Sequence, residues 1–143
     1  MIIKRILQTE FNQDTKDFWI LLLRLLVAAF MLTHGISKFN SLIAEGEIKF
    51  GDPIGIGPVA SLVLAVFAQV FCSILVGIGL GTRYATIPLI ITMAVAGFIT
   101  LGADPFGRKE LALLYLLTYV TLFFLGGGKY SVDYLISRKR SGK

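Results

Sequence analysis

Of the 143 residues, 55% are hydrophobic and 16% are charged, and 14 lysines and arginines against 9 aspartates and glutamates leave a net charge of +5. Soluble domains carry about 45–50% apolar and about 25% charged residues, so both departures point to a bilayer as solvent. One cysteine, Cys72, excludes an intrachain disulfide and a dithiol redox pair; one histidine, His34, excludes a histidine-built metal cage or a bis-histidine haem within one chain.

Four apolar runs follow one another. The first, residues 18–36, is interrupted by Arg24 and His34; it starts too late and runs too long for a signal-peptide core, and it reads as a retained helix. The second, 59–80, carries Gln69 near its middle, and the third, 84–101, has no charge but contains Pro88, which predicts a kink. The fourth, 111–125, is short at about 1.5 Å per residue against about 30 Å of hydrocarbon, and spans only if its helix begins near Arg108 or Glu110, giving a span of about 110–126. Between them, Lys38 to Pro58 reads as an ordered loop or re-entrant cap, Gly81-Thr82-Arg83 as a tight turn, and Gly102 to Lys109 as a short loop. Gly126-Gly127-Gly128 ends the fourth helix, and residues 127–143 form a tail with an amphipathic start and a basic end. The expected fold is all-α: one membrane domain, an antiparallel bundle of four transmembrane helices.

With four spans, both termini and the 81–83 turn share one side, which holds Lys4, Arg5, Lys16, Arg83, Lys129, Arg138, Lys139, Arg140 and Lys143. The other side holds Lys38, Lys49, Arg108 and Lys109, so the basic excess puts the termini in the cytoplasm and the protein in the cell membrane. The charge is then a topology and lipid-headgroup signal, not a nucleic-acid footprint.

Ionisable residues within spans cost roughly 2.5–3.5 kcal/mol at the bilayer centre, which makes them the first candidates for function. Arg24 either snorkels to the headgroups or faces a ligand with an anionic or carbonyl group. Gln69 lies at similar depth; it serves an interhelical hydrogen bond or a ligand, and meets Arg24 if both face inward. His34, its i+4 neighbour Lys38, and Glu110 share a height and could form an outward-facing polar cluster. Tyr115 and Tyr119, also i and i+4, offer hydroxyls to the interior. Cys72 reads as a small buried hydrophobe. No P-loop, dinucleotide fingerprint, nucleophile elbow or metal motif is present.

Taken together, the segments RLLVAAFMLTHGISKF, Gly57-Pro58, GIGLGTRYA, DPFGRKELALLYL and GGGKYSVD, in this order across residues 22–134, resemble the DoxX family of small four-helix membrane proteins. Arg83 and Asp133 fall within these segments and are read as structural polar residues of the cytoplasmic face. The chain departs from many relatives at Gln69, where they carry a glutamate, and at residues 99–101, where they carry a histidine. The resemblance implies thiosulfate:quinone oxidoreduction, a membrane-bound oxidative-stress complex, or maturation of other proteins.

Two functions from different classes follow. One is the membrane subunit of a quinone-linked oxidoreductase, with donors from Arg24, His34, Gln69 or the tyrosines and electrons from a partner or soluble substrate. The other is a non-catalytic assembly factor, chaperone or anchor for a partner protein. A homo-oligomer is compatible with either, and transport of a small solute would require one. No cofactor is evident in the chain itself.

Overall fold

The computed structural model describes residues 2–142; Lys143, counted above among the basic residues of the tail, lies outside them. Among the described residues the chain is entirely helix, turn and loop. A short helix α1 (Ile2–Ile6) precedes α2 (Gln13–Ile43), α3 (Pro58–Ile78), α4 (Thr82–Thr100), α5 (Phe106–Leu125) and α6 (Val132–Ser141).

Helix α2 is longer than its apolar run at both ends. Asn12 caps it by accepting the amide of Asp14 at 3.3 Å, and Asp14 sits favourably in the first turn. At the other end nothing breaks the helix before Ala44, so Lys38 to Ile43, expected in the following loop, are helical. Helix α3 opens with Pro58 in its first turn, where a missing amide proton is no loss. Its middle, Phe67–Cys72, is π-helical, as is the last turn of α4, Val95–Thr100. The turn between α3 and α4 falls at residues 79–81; Thr82 and Arg83, expected in it, already belong to α4. Helix α4 runs through Pro88, which has no amide to donate.

Helices α2, α3 and α4 are long and apolar enough to cross a membrane. Helix α5 has 20 residues, but Arg108, Lys109 and Glu110 occupy its beginning and leave Leu111 to Leu125 as its apolar part. Helix α2 packs along α3, and α4 along α5. The core between them is built from Val27, Met31, Ala68, Cys72, Val76, Leu89, Met93 and Leu122. Outside it, Phe30, Phe71, Ile91, Phe98, Leu117 and Phe124 are exposed. A soluble monomer rarely shows so much contiguous apolar surface, whereas lipid accepts it.

Candidate functional site

The polar residues gather at two levels. At the end of the bundle near the termini, Arg24 is only 1% exposed yet meets no carboxylate directly among the described residues. Its guanidinium donates to backbone carbonyls instead: Nε to Val76 at 3.1 Å, Nη2 to Gly77 at 3.0 Å, and Nη1 to Gly127 and to Tyr130, the latter at 3.1 Å. Two of these acceptors, Val76 and Gly77, lie in the last turn of α3, where the helix end carries negative partial charge; the Val76 carbonyl also accepts the Gly79 amide at 3.2 Å. The others lie on the glycine-rich segment after α5. One side chain therefore ties α2, α3 and the chain beyond α5 together.

The surrounding backbone fits closely around this charge. Gly79 closes α3 in the left-handed conformation (φ 77°), and a Cβ there would come within 3.0 Å of the Arg24 guanidinium. A Cβ on Gly127 would press on Thr82 and Ser131. Asp133 accepts the amides of Gly81 at 2.7 Å and Thr82 at 2.9 Å, placing a carboxylate at the N-terminus of α4, and its own amide donates to Gly79 at 2.9 Å. Arg83, exposed, donates to the Phe124 carbonyl near the end of α5 at 3.3 Å.

Asp17, which the sequence reading passed over, is also buried here and accepts the Lys129 amide and the Gln13 side-chain amide, each at 3.3 Å. The sequence signal was a carboxylate immediately before an apolar run. Arg24 and Gln69 do not meet, because every carbonyl that holds Arg24 lies toward the termini.

The second level begins at Gly35. A Cβ there would lie 2.7 Å from the Gln69 carbonyl oxygen, so only glycine lets α2 cross α3 at this depth. The crossing falls on the π-helical part of α3, a distortion frequent at functional sites. Lys38 lies three residues beyond Gly35 on the same face, and its Nζ donates to Gln69 Oε1 at 2.9 Å. The expected cluster of His34, Lys38 and Glu110 does not form. Lys38 turns to Gln69, His34 sets its ring edgewise against Tyr115 at 6.0 Å, and Glu110 is exposed without an ion pair among the described residues. Tyr115 stacks on Tyr119 at 6.2 Å, and Tyr119 is fully buried with its hydroxyl unpartnered, like that of Ser73.

Two cavities share the Lys38–Gln69 pair. The larger, about 320 Å³, lies between α3 and α4, with Leu64, Ala65, Ile91, Val95 and Ala96 as apolar walls. Its rim includes Phe50, Pro53 and Ile54 of the 44–57 loop. Asp52 organises that loop by accepting the amides of Ile56 and Gly57 at 2.9 Å each and the Ser61 hydroxyl at 3.2 Å. Leu64 and Ile91 are half exposed, so the slot opens sideways onto the outer, apolar face of the helices. The smaller cavity, about 170 Å³, lies on the other side of the pair and is lined by His34, Tyr115, Met31 and Met93. The larger volume is at the low end for small-molecule sites, which are mostly apolar with a few convergent polar groups. Among the described residues no group of His, Cys, Asp and Glu is arranged to hold a metal ion.

Comparison with known proteins gives a consistent picture. A family model described as DoxX matches residues 19–102. The chain is 31% identical over 125 residues to "Putative oxidoreductase CatD" of Bacillus subtilis, covering 85% of this chain and 90% of that protein. It is 31% identical to an uncharacterized protein of Haemophilus influenzae, covering 82% and 90% of the two. It is 32% identical to the uncharacterized membrane protein Rv3486 of Mycobacterium tuberculosis, covering 84% and 82%. No solved structure matches the chain.

Proposed function

The chain belongs to the DoxX family, and from that premise we propose that it is the membrane subunit of a quinone-linked oxidoreductase, with the quinone site in the slot between α3 and α4. In this reading α5 is a fourth span, starting at Phe106 and carrying its charged first turns at the interface, and the basic excess holds both termini in the cytoplasm. The Lys38–Gln69 side of the bundle then faces the outer half of the membrane.

The observation that carries the reading is the Lys38–Gln69 pair beside an apolar cavity open to the lipid-facing side. A quinone needs a flat apolar slot and hydrogen-bond donors at its carbonyls. Lys38 Nζ has two protons beyond the one given to Gln69, and Gln69 Nε2 has no hydrogen-bond partner among the described residues. These two groups would hold a carbonyl, while the walls from Leu64, Ala65, Val95 and Ala96 keep water away and strengthen both bonds. When bound, the quinone supplies two-electron acceptor chemistry. The chain's part is to orient its ring and to keep a charged donor at one carbonyl; electrons come from a partner protein or soluble donor. The name of the Bacillus subtilis relative agrees with a redox role.

The test is saturable binding of a short-chain ubiquinone analogue to the purified protein in neutral detergent. Binding is expected in the wild type and at least tenfold weaker in Lys38→Met, the loss of one charge-assisted hydrogen bond of about 1.4 kcal/mol or more. Absence of saturable binding to the wild type would remove the reading.

A further inference from the structure

Among the described residues Lys38 is the one lysine or arginine in contact with the larger cavity, and none of them compensates its charge. Its hydrogen-bond partner is a neutral amide oxygen, and no carboxylate lies within ion-pair distance of it among the described residues. None of the residues lining the cavity is acidic. Asp52, which adjoins the lining residue Pro53, spends its oxygens on Ile56, Gly57 and Ser61. Gln69 accepts through Oε1 only from Lys38, so what it offers the cavity is the donor Nε2. The charged end of this slot therefore offers donors, Lys38 Nζ and Gln69 Nε2; the rest of its lining is apolar apart from the uncharged hydroxyl residues Ser61, Thr92 and Thr100, of which Ser61 and Thr92 donate within the chain, to Asp52 and to the Pro88 carbonyl. A half-buried ammonium at membrane depth is costly without a partner, and its missing counter-charge must come from outside the chain.

We infer that the slot between α3 and α4 binds a single-chain amphiphile with an anionic head, the head on Lys38 and Gln69 Nε2 and the alkyl chain along Leu64, Ala65 and Val95. The shape agrees with the chemistry: the slot opens sideways past Leu64 and Ile91, both half exposed, so an alkyl chain enters from the bilayer and one chain fills it. The head is a carboxylate or a phosphate, since each supplies a negative charge and acceptor oxygens alone. Such an amphiphile competes with the quinone for the slot; that competition, unlike the binding itself, rests on the functional reading above.

The experiment measures binding of oleate, lysophosphatidylglycerol and oleyl alcohol to the full chain in neutral detergent. Oleate, lysophosphatidylglycerol or both are expected to bind saturably, and which of them binds identifies the head; oleyl alcohol binds at least tenfold more weakly. Gln69→Glu supplies Lys38 with a carboxylate inside the protein and is expected to weaken the acidic ligands at least tenfold. Ala65→Phe fills the slot without touching the cation and is expected to abolish binding. Melting temperatures close to the wild type establish that both variants fold. Oleyl alcohol bound as tightly as the acids, or Gln69→Glu bound as tightly as the wild type, overturns the inference. Quinone binding without acid binding also overturns it while leaving the quinone site intact; acid binding that an added quinone analogue does not reduce upholds it and counts instead against a shared slot.

Discussion

The two polar levels of the bundle bury similar chemistry to opposite ends. Around Arg24 each nitrogen of a fully buried guanidinium donates to a carbonyl of its own chain, four of its five N–H groups being met, and the open groove of about 460 Å³ that it lines holds no second cation among the described residues. Around Lys38 a second cation meets one amide oxygen, and cavities lie on both sides of it. A saturated charge is a structural tie, whereas an unsaturated one beside an apolar space is a place for a ligand. Burial alone would have ranked Arg24 as the stronger functional candidate; counting partners reverses the order.

The difference can be broken most severely at Arg24. Arg24→Met leaves the carbonyls of Gly77, Gly127 and Tyr130 without the Arg24 donor, at about 1–3 kcal/mol for each that finds no substitute, while Val76 keeps the Gly79 amide. A fall in melting temperature of roughly 10 °C or more, or loss of folded yield, is expected by thermal unfolding in detergent. Next in size is Gly79→Ala, which forces a methyl toward Arg24 and Ser131 in a left-handed conformation and should destabilise by about 2 kcal/mol in the same assay. Asp133→Ala removes the two amide contacts at the start of α4, an expected cost of about 1–2 kcal/mol. Lys38→Met should reverse the pattern: ligand affinity falls at least tenfold while stability changes by about 1 kcal/mol or less, because the lost hydrogen bond to Gln69 is offset by removal of a half-buried charge that has no counter-charge among the described residues. Tyr115→Phe is the smallest, a shift within about 0.5 kcal/mol in stability and less than threefold in quinone affinity, since its contacts with His34 and Tyr119 are ring contacts that phenylalanine keeps. Equal losses of stability at Arg24 and Lys38 would erase the distinction.

The helices and the family were legible in the sequence, because long apolar runs leave few other folds open and the GGGKYSVD and DPFGRKE segments mark the ends. The split between the two levels was not. Arg24 is held by carbonyls 52 and 103 residues away, and a backbone carbonyl has no sequence signature. Spacing put His34 and Lys38 on one face, but it could not tell that Gly35 lets α3 come so close that Lys38 finds Gln69 first. Asp17 and Asp52 stand outside the apolar runs, where carboxylates usually meet solvent, and only the folded chain shows them holding backbone amides.

The assignment of the slot rests on where a ligand sits, and photolabelling with an azido-quinone followed by peptide mapping reads that directly. Labels are expected on residues 61–69 of α3 and 91–100 of α4, and are expected to be lost in Lys38→Met. Labels concentrated on residues 21–29 and 73–78, around Arg24, would contradict it.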